Sequence, residues 1–192
     1  AVAMVVSAFF LKAAIVPFHG WAPDAYEAAS VPSTAFMAVL VKVGVLIAAA
    51  RVFGTAHVAE PLAGLLAILP LASIVWGNLA AIRQAGLRRM IAYSSIAHAG
   101  YLFFAFLGDG PGRFQAVMFY LAAYGVMNLL AFAALPQHPD DTERDKLDNL
   151  KGLFHTHPLA ALLIGMAMLS LAGIPPFPGF VAKFLIFKNV IA

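Results

Sequence analysis

Residues 35–50 read AFMAVLVKVGVLIAAA, an apolar run with a single charge, Lys42, at its centre. The run extends to about residues 32–53, close to the ~20 residues that a membrane-spanning helix needs. Five further apolar stretches occupy residues 1–18, 61–82, 90–107, 114–135 and 158–192, with short polar segments between them. None alternates with a period of two, which argues against a β-barrel. The pattern predicts an all-α fold, a polytopic transmembrane helix bundle forming one transmembrane domain over residues 1–192. Composition agrees: 62% of the 192 residues are hydrophobic, 11% are charged, and the mean hydropathy is +0.89. A soluble domain is about 25% charged, so a soluble monomer, intrinsic disorder and nucleic-acid binding are all excluded. There is no cysteine, which excludes disulfides, iron–sulfur ligation and thiolate metal sites in this chain. Both ends lie inside apolar runs, so the chain is expected to be a piece of a longer membrane protein.

Two stretches read as broken helices. Pro17, Pro23 and Pro32 flank a tract with Trp21, Asp24, Tyr26 and Glu27. The last stretch is too long for one ordinary span and carries Gly173, Pro175, Pro176, Pro178 and Gly179 near its middle. Proline removes a backbone donor and clashes with the preceding turn. A break at membrane depth survives only when it is buried in protein or lines a wet cavity, and discontinuous helices of this kind point to ion sites in transporters. Pro70 reads as a simple kink. Basic residues set the orientation: Arg83, Arg88 and Arg89 in turn 83–89, and Arg144, Lys146 and Lys151 in loop 136–157, lie on one side. The positive-inside rule makes that side cytoplasmic, with segment 19–31 on it by parity. The acidic residues of loop 136–157 (Asp140, Asp141, Glu143, Asp145 and Asp148) suggest a solvated connector.

Lys42 sits about ten residues into its span, near the bilayer midplane. A lysine there costs roughly 2.5–3.5 kcal/mol on insertion scales, and its stem is too short to snorkel out. Lys12 and Lys183 each lie beside a helix break; Lys188 approaches a helix end and suits snorkelling. Burial disfavours a charged amine, so a buried lysine can take up and release a proton, whereas arginine stays charged. Three such lysines suit a proton relay. His98, which titrates near neutrality when unperturbed, shares one helix face with Ser94 and Tyr101 at i,i+4 and i,i+3 spacing, and reads either as a bridge between the lysines or as an interhelical hydrogen-bond partner. Tyr120, Tyr124 and Asn128 form a second polar stripe that can hold water or bond between helices. Asn78 reads as a packing or capping residue. Nothing suggests a phosphate loop, haem ligation or a hydrolytic triad, and His155 and His157 before Pro158 are weak evidence for a metal.

The runs LKAAIVPFHGWAPDAYEAASVPSTAFMAVLVKVGV (11–45), NLAAIRQAGLRRMIAYSSIAHAGY (78–101) and MLSLAGIPPFPGFVAKF (168–184) together resemble the antiporter-like membrane subunits of respiratory complex I. That family is related to the large subunits of multisubunit cation/proton antiporters. The resemblance covers essentially the whole chain and implies that it supplies the seventh to twelfth helices of an inverted-repeat fold. It implies that Lys12, Lys42 and Lys183 relay protons along a hydrated mid-membrane path, with His98 accessory and Tyr101, Tyr120, Tyr124 and Asn128 lining the way. Other members carry histidines and a lysine where this chain has the stripe Tyr120–Tyr124–Asn128, which points to the N-type branch. The family's glutamate partner for Lys12 precedes this stretch. The implied partners are the neighbouring antiporter-like and small membrane subunits of the complex and the lipid bilayer of a bacterial inner membrane. NADH, FMN, iron–sulfur clusters and quinone are expected in other subunits and no cofactor in this chain. The competing readings are a multisubunit sodium/proton antiporter, a membrane-bound hydrogenase, a photosynthetic NDH-type complex, and a structural spacer in which the lysines only set helix pairing.

Overall fold

A computed structural model of the chain describes residues 2–55, 60–107, 112–135 and 145–191. Asp140, Asp141, Glu143 and Arg144 lie outside the described residues. The described chain is a helix bundle. Helix α1 (Val2–Ala13) is followed by a break and by α2 (Trp21–Ala28). Next comes one long apolar span made of α3 (Val31–Phe36), a π-helical turn (Met37–Val41) and α4 (Lys42–Thr55). Helices α5 (Glu60–Ala81) and α6 (Leu87–Phe104) form an antiparallel pair, and α6 closes in a 3₁₀ turn (Ala105–Leu107). Then follow α7 (Arg113–Ala133), the single turn α8 (Leu153–Thr156), α9 (Pro158–Ala172) and α10 (Pro178–Ile191). Pro32 and Pro158 stand in the first turns of α3 and α9, where a missing N–H costs nothing.

The two broken helices end in the same way. At α9, Gly173 takes a left-handed conformation (φ +86°), with Gly173 N–H bonded to Ser170 O at 3.0 Å and Ile174 N–H to Leu169 O at 3.1 Å. This is the Schellman pattern, for which glycine is the usual residue. At α1, Ala14 takes φ +61°, with Ala14 N–H on Leu11 O at 3.3 Å and Ile15 N–H on Phe10 O at 2.9 Å. A Cβ in this region costs about 1–2 kcal/mol. Ala14→Gly is therefore expected to stabilise the folded protein by up to about 1 kcal/mol, after the glycine's larger unfolded-state entropy is offset. The check is the midpoint of thermal unfolding in detergent; an unchanged or lower midpoint would show that the alanine is unstrained.

Small residues bring α5 and α6 close. A Cβ on Gly77 would lie 2.7 Å from the backbone of Ala97 and Tyr93, so only glycine fits there. One buried cluster joins Phe10, Leu46, Phe103, Tyr120, Leu171 and Ile186, and a second joins Tyr26, Leu87, Ile91, Phe132 and Ala167. Large apolar side chains such as Ile68, Val75, Leu79, Phe114, Leu159 and Leu162 face outward, as lipid contact allows. Val31–Val52, Leu87–Leu107 and Arg113–Ala133 are long and apolar enough to cross a membrane.

The structure departs from expectation on the loop side. The fourth span starts at Leu87, so Arg88 and Arg89 belong to the first turn of α6 and not to a turn. Arg88 and Asp145 form a buried ion pair (2.9 Å), and Gly86 pairs with Lys146 in an antiparallel bridge. Asp145 is thus no part of a solvated connector: the arginine neutralises it, and it satisfies the helix start.

Candidate functional site

Lys42 follows the π-helical turn directly. Such a turn inserts one extra residue into the helix and shifts the register of the residues after it. The Lys42 side chain is buried, and its Nζ donates to the carbonyl oxygen of Ser95 in the middle of α6. Ser95 Oγ donates in turn to Ala92 O at 2.7 Å.

On one side of Lys42 lies a cavity of about 470 Å³ that it shares with Lys12; Trp21, Tyr26, Met37 and Ser95 also line it. The cavity sits against the first helix break. Lys12 is exposed at the end of α1 and has no ion-pair partner among the described residues. The break itself is held by side chains. Trp21 Nε1 donates to Leu11 O at 2.9 Å, and Ser73 Oγ on α5 accepts Val16 N–H at 2.8 Å while donating to Leu69 O at 2.8 Å. These bonds pair backbone groups that proline-broken geometry frees.

His98 is buried on α6, one turn beyond the Ser95 that accepts from Lys42. Its Nδ1 is 2.6 Å from the hydroxyl of Tyr120. Its ring centroid lies 5.0 Å from that of Tyr124 and 6.3 Å from that of Tyr101. Among the described residues Tyr124 Oη and Asn128 Oδ1 are buried without a hydrogen-bond partner, while Asn128 Nδ2 donates to Tyr124 O at 2.8 Å. Buried polar atoms left over in this way are what ordered water satisfies.

Lys183 completes the group from α10. It is half-buried and folds back onto the end of α9, donating to Leu171 O at 2.9 Å and Ala172 O at 3.0 Å. Unpaired carbonyls at a helix C-terminus carry partial negative charge and favour a cation. The ammonium also lies 5.1 Å from the centre of the Tyr101 ring, within cation–π range. Gly173 makes the room: a Cβ there would come within 3.0 Å of Lys183 Cδ and 3.1 Å of its Nζ. Ser170 Oγ ties the two halves of the broken helix by accepting Gly179 N–H at 3.0 Å.

The structure thus gathers Tyr101, Tyr120 and Tyr124 around His98, with Lys183 against the Tyr101 ring, Lys42 on the Ser95 carbonyl one turn before His98, and Asn128 a turn beyond Tyr124. Lys12 stands apart, across the cavity. Lys188 is exposed on α10. Sequence reasoning does not single out Ser73 and Ser170, lone serines in apolar runs whose partners are freed backbone groups at the two breaks. Among the described residues no group of three or more histidine, cysteine, aspartate or glutamate side chains could hold a metal ion.

Comparison with known proteins places the chain. The family model described as "NADH:quinone oxidoreductase/Mrp antiporter, TM" matches residues 1–192. NADH-quinone oxidoreductase subunit N of Pelobacter propionicus is 47% identical over 189 residues, covering 98% of this chain and 40% of that protein. A chain in respiratory complex I from Thermus thermophilus superposes with a TM-score of 0.83 at 43% identity, over 95% of this chain and 40% of that one. A chain of the Mrp complex from Dietzia sp. superposes with a TM-score of 0.79 at 27% identity, over 98% of this chain and 36% of that one. The chain spans about 40% of the length of the curated relatives it matches. With its all-α membrane bundle and two discontinuous helices, the chain belongs to the NADH:quinone oxidoreductase/Mrp antiporter transmembrane family.

Proposed function

We propose that this chain is part of a proton-translocating, N-type membrane subunit of an NADH–quinone oxidoreductase, and that protons pass from Lys12 to Lys42 and on through His98 to Lys183. The observation that carries the reading is the place of Lys42. Its amine is buried between a cavity shared with Lys12 and a polar line leading through Ser95 and His98 to Lys183. A buried amine is costly in a membrane, and no carboxylate pairs with it in the hydrogen bonds and ion pairs of the described residues. The unpartnered Tyr124 Oη and Asn128 Oδ1, atoms of the kind that ordered water satisfies, and the Tyr120 hydroxyl on His98 support the path beside it. Tyr101 positions Lys183 through its ring. The chain acts as a non-redox subunit. The redox cofactors belong to other subunits, so coupling to electron transfer is conformational or electrostatic. A glutamate elsewhere in the full-length protein completes the switch by pairing with Lys12. The side that carries α2, the turn between α5 and α6 and residues 145–157 faces the cytoplasm, and the neighbours are other membrane subunits of the complex.

The test is proton pumping in inverted membrane vesicles carrying the full-length subunit, wild type against Lys42→Ala, with NADH oxidation and assembly followed in parallel. The variant is expected to assemble and to lose most of its pumping; normal pumping by an assembled variant would remove Lys42 from the path. The likeness to an Mrp complex supports a second reading, sodium/proton antiport. That reading requires transport that depends on sodium and runs without NADH.

A further inference from the structure

We infer that the buried Arg88–Asp145 pair is the positioning junction that holds both broken helices in register, an inference that rests on the proton-relay reading. Three separate segments meet at one guanidinium. Arg88 Nε and Nη2 both bond Asp145 Oδ1, at 3.0 and 2.9 Å, while Nη1 donates to Ala29 O at 2.8 Å. Ala29 caps the C-terminus of α2, the second half of the first broken helix. A cation belongs at such an end. The Asp145 carboxylate works at an opposite end. Its Oδ2 accepts the Arg88 backbone N–H at 2.7 Å, in the first turn of α6, where free N–H groups need an acceptor. Gly86 at that helix start offers no side-chain cap, and two arginines there oppose the helix dipole. A carboxylate delivered from 57 residues away supplies both corrections. The backbone locks it in place, with Leu87 N–H on Asp145 O at 2.8 Å and Leu147 N–H on Ala85 O at 2.9 Å.

Each arm of this junction leads to a lysine of the relay. Helix α2 is tethered a second time, by Arg89 Nη1 to Asp24 and Glu27. It supplies Trp21 and Tyr26 to the cavity between Lys12 and Lys42. On the other arm, Leu147 and Leu150 beyond Asp145 pack on the cluster that holds Ile164 and Ala167 of α9. The last carbonyls of α9 hold Lys183. Buried ion pairs are weak contributors to net stability. What this pair supplies is placement. A lysine at 88 keeps the charge but cannot make the planar fork.

The test uses the full-length subunit in the assembled complex, with Asp145→Asn and, separately, Arg88→Lys. Hydrogen exchange read by mass spectrometry is expected to speed up about tenfold in residues 21–29 and 170–178 together, a local opening of both breaks. Protons moved per NADH oxidised are expected to fall by about half or more, as for a lost positioning contact. Faster exchange confined to residues 145–152 would reduce the pair to a loop staple and overturn the inference, as would loosening of both breaks with unchanged pumping. If Asp145→Asn does not assemble, Arg88→Lys decides on the same two readouts. Lys42→Ala runs beside them and is expected to lose pumping with wild-type exchange. Normal pumping in Lys42→Ala would sink the relay while the exchange data still judge the junction.

Discussion

Lys42→Arg is expected to stop proton transport as completely as Lys42→Ala. The two substitutions separate charge from proton exchange. Arginine keeps the positive charge and can still donate to a carbonyl, but it does not release a proton at accessible pH. If Lys42 served only to pair helices through its bond to Ser95 O, arginine would preserve the contact and pumping would survive. If the amine carries a proton, the charged guanidinium blocks the path between the Lys12 cavity and His98. Proton transfer by a positioned group contributes about 10²–10⁴-fold, so the loss is expected to reach at least about tenfold even if water partly bypasses the site. The measurement is the initial rate of NADH-driven acidification in inverted vesicles at matched complex content. An arginine variant that pumps while the alanine variant does not would assign Lys42 a purely electrostatic role.

The legible part of this protein is the part that violates membrane composition rules. Lys42 stands out because a charge in the middle of a long apolar run has no cheap explanation. The break at residues 173–177 is legible from Gly173 and the prolines around it, and the structure puts the helix end at Ala172. The grouping of His98 with Tyr101 follows from helical spacing alone. Other features depend on partners far away in sequence. The start of α6 is hidden because Arg88 and Arg89 depress the local hydropathy; Asp145, Asp24 and Glu27, which neutralise them, lie 57 to 65 residues away. Asp145 reads as solvated because nothing in an acidic loop marks which carboxylate is buried. The π-helical turn over MAVLV carries no residue that announces it. Ser73 and Ser170 matter only because proline frees backbone groups beside them, and that is a property of the fold.

Gly173→Ala is expected to strike the relay at its far end and to cost stability as well. The residue has two duties that one methyl group would compromise together. Its φ of +86° is a conformation that L side chains disfavour, at a cost of about 1–2 kcal/mol. Its missing Cβ also leaves space that Lys183 fills, since an added carbon would meet the lysine stem at 3.0 Å. The stem must then give by a few tenths of an ångström, which displaces the ammonium on the Leu171 and Ala172 carbonyls and the Tyr101 ring. A purely structural defect would lower the unfolding midpoint and leave pumping per assembled complex intact. A defect in Lys183 placement lowers pumping per assembled complex, by about tenfold or more on the scale of a misplaced reacting group. The comparison that isolates the second effect is Ala14→Gly, which changes the matching helix end in the opposite sense and leaves Lys183 untouched. Adding Ala14→Gly to Gly173→Ala is expected to recover part of the lost stability but no pumping. Recovery of both would mean that Gly173 serves the fold alone, and that the position of Lys183 over the end of α9 has no part in moving protons.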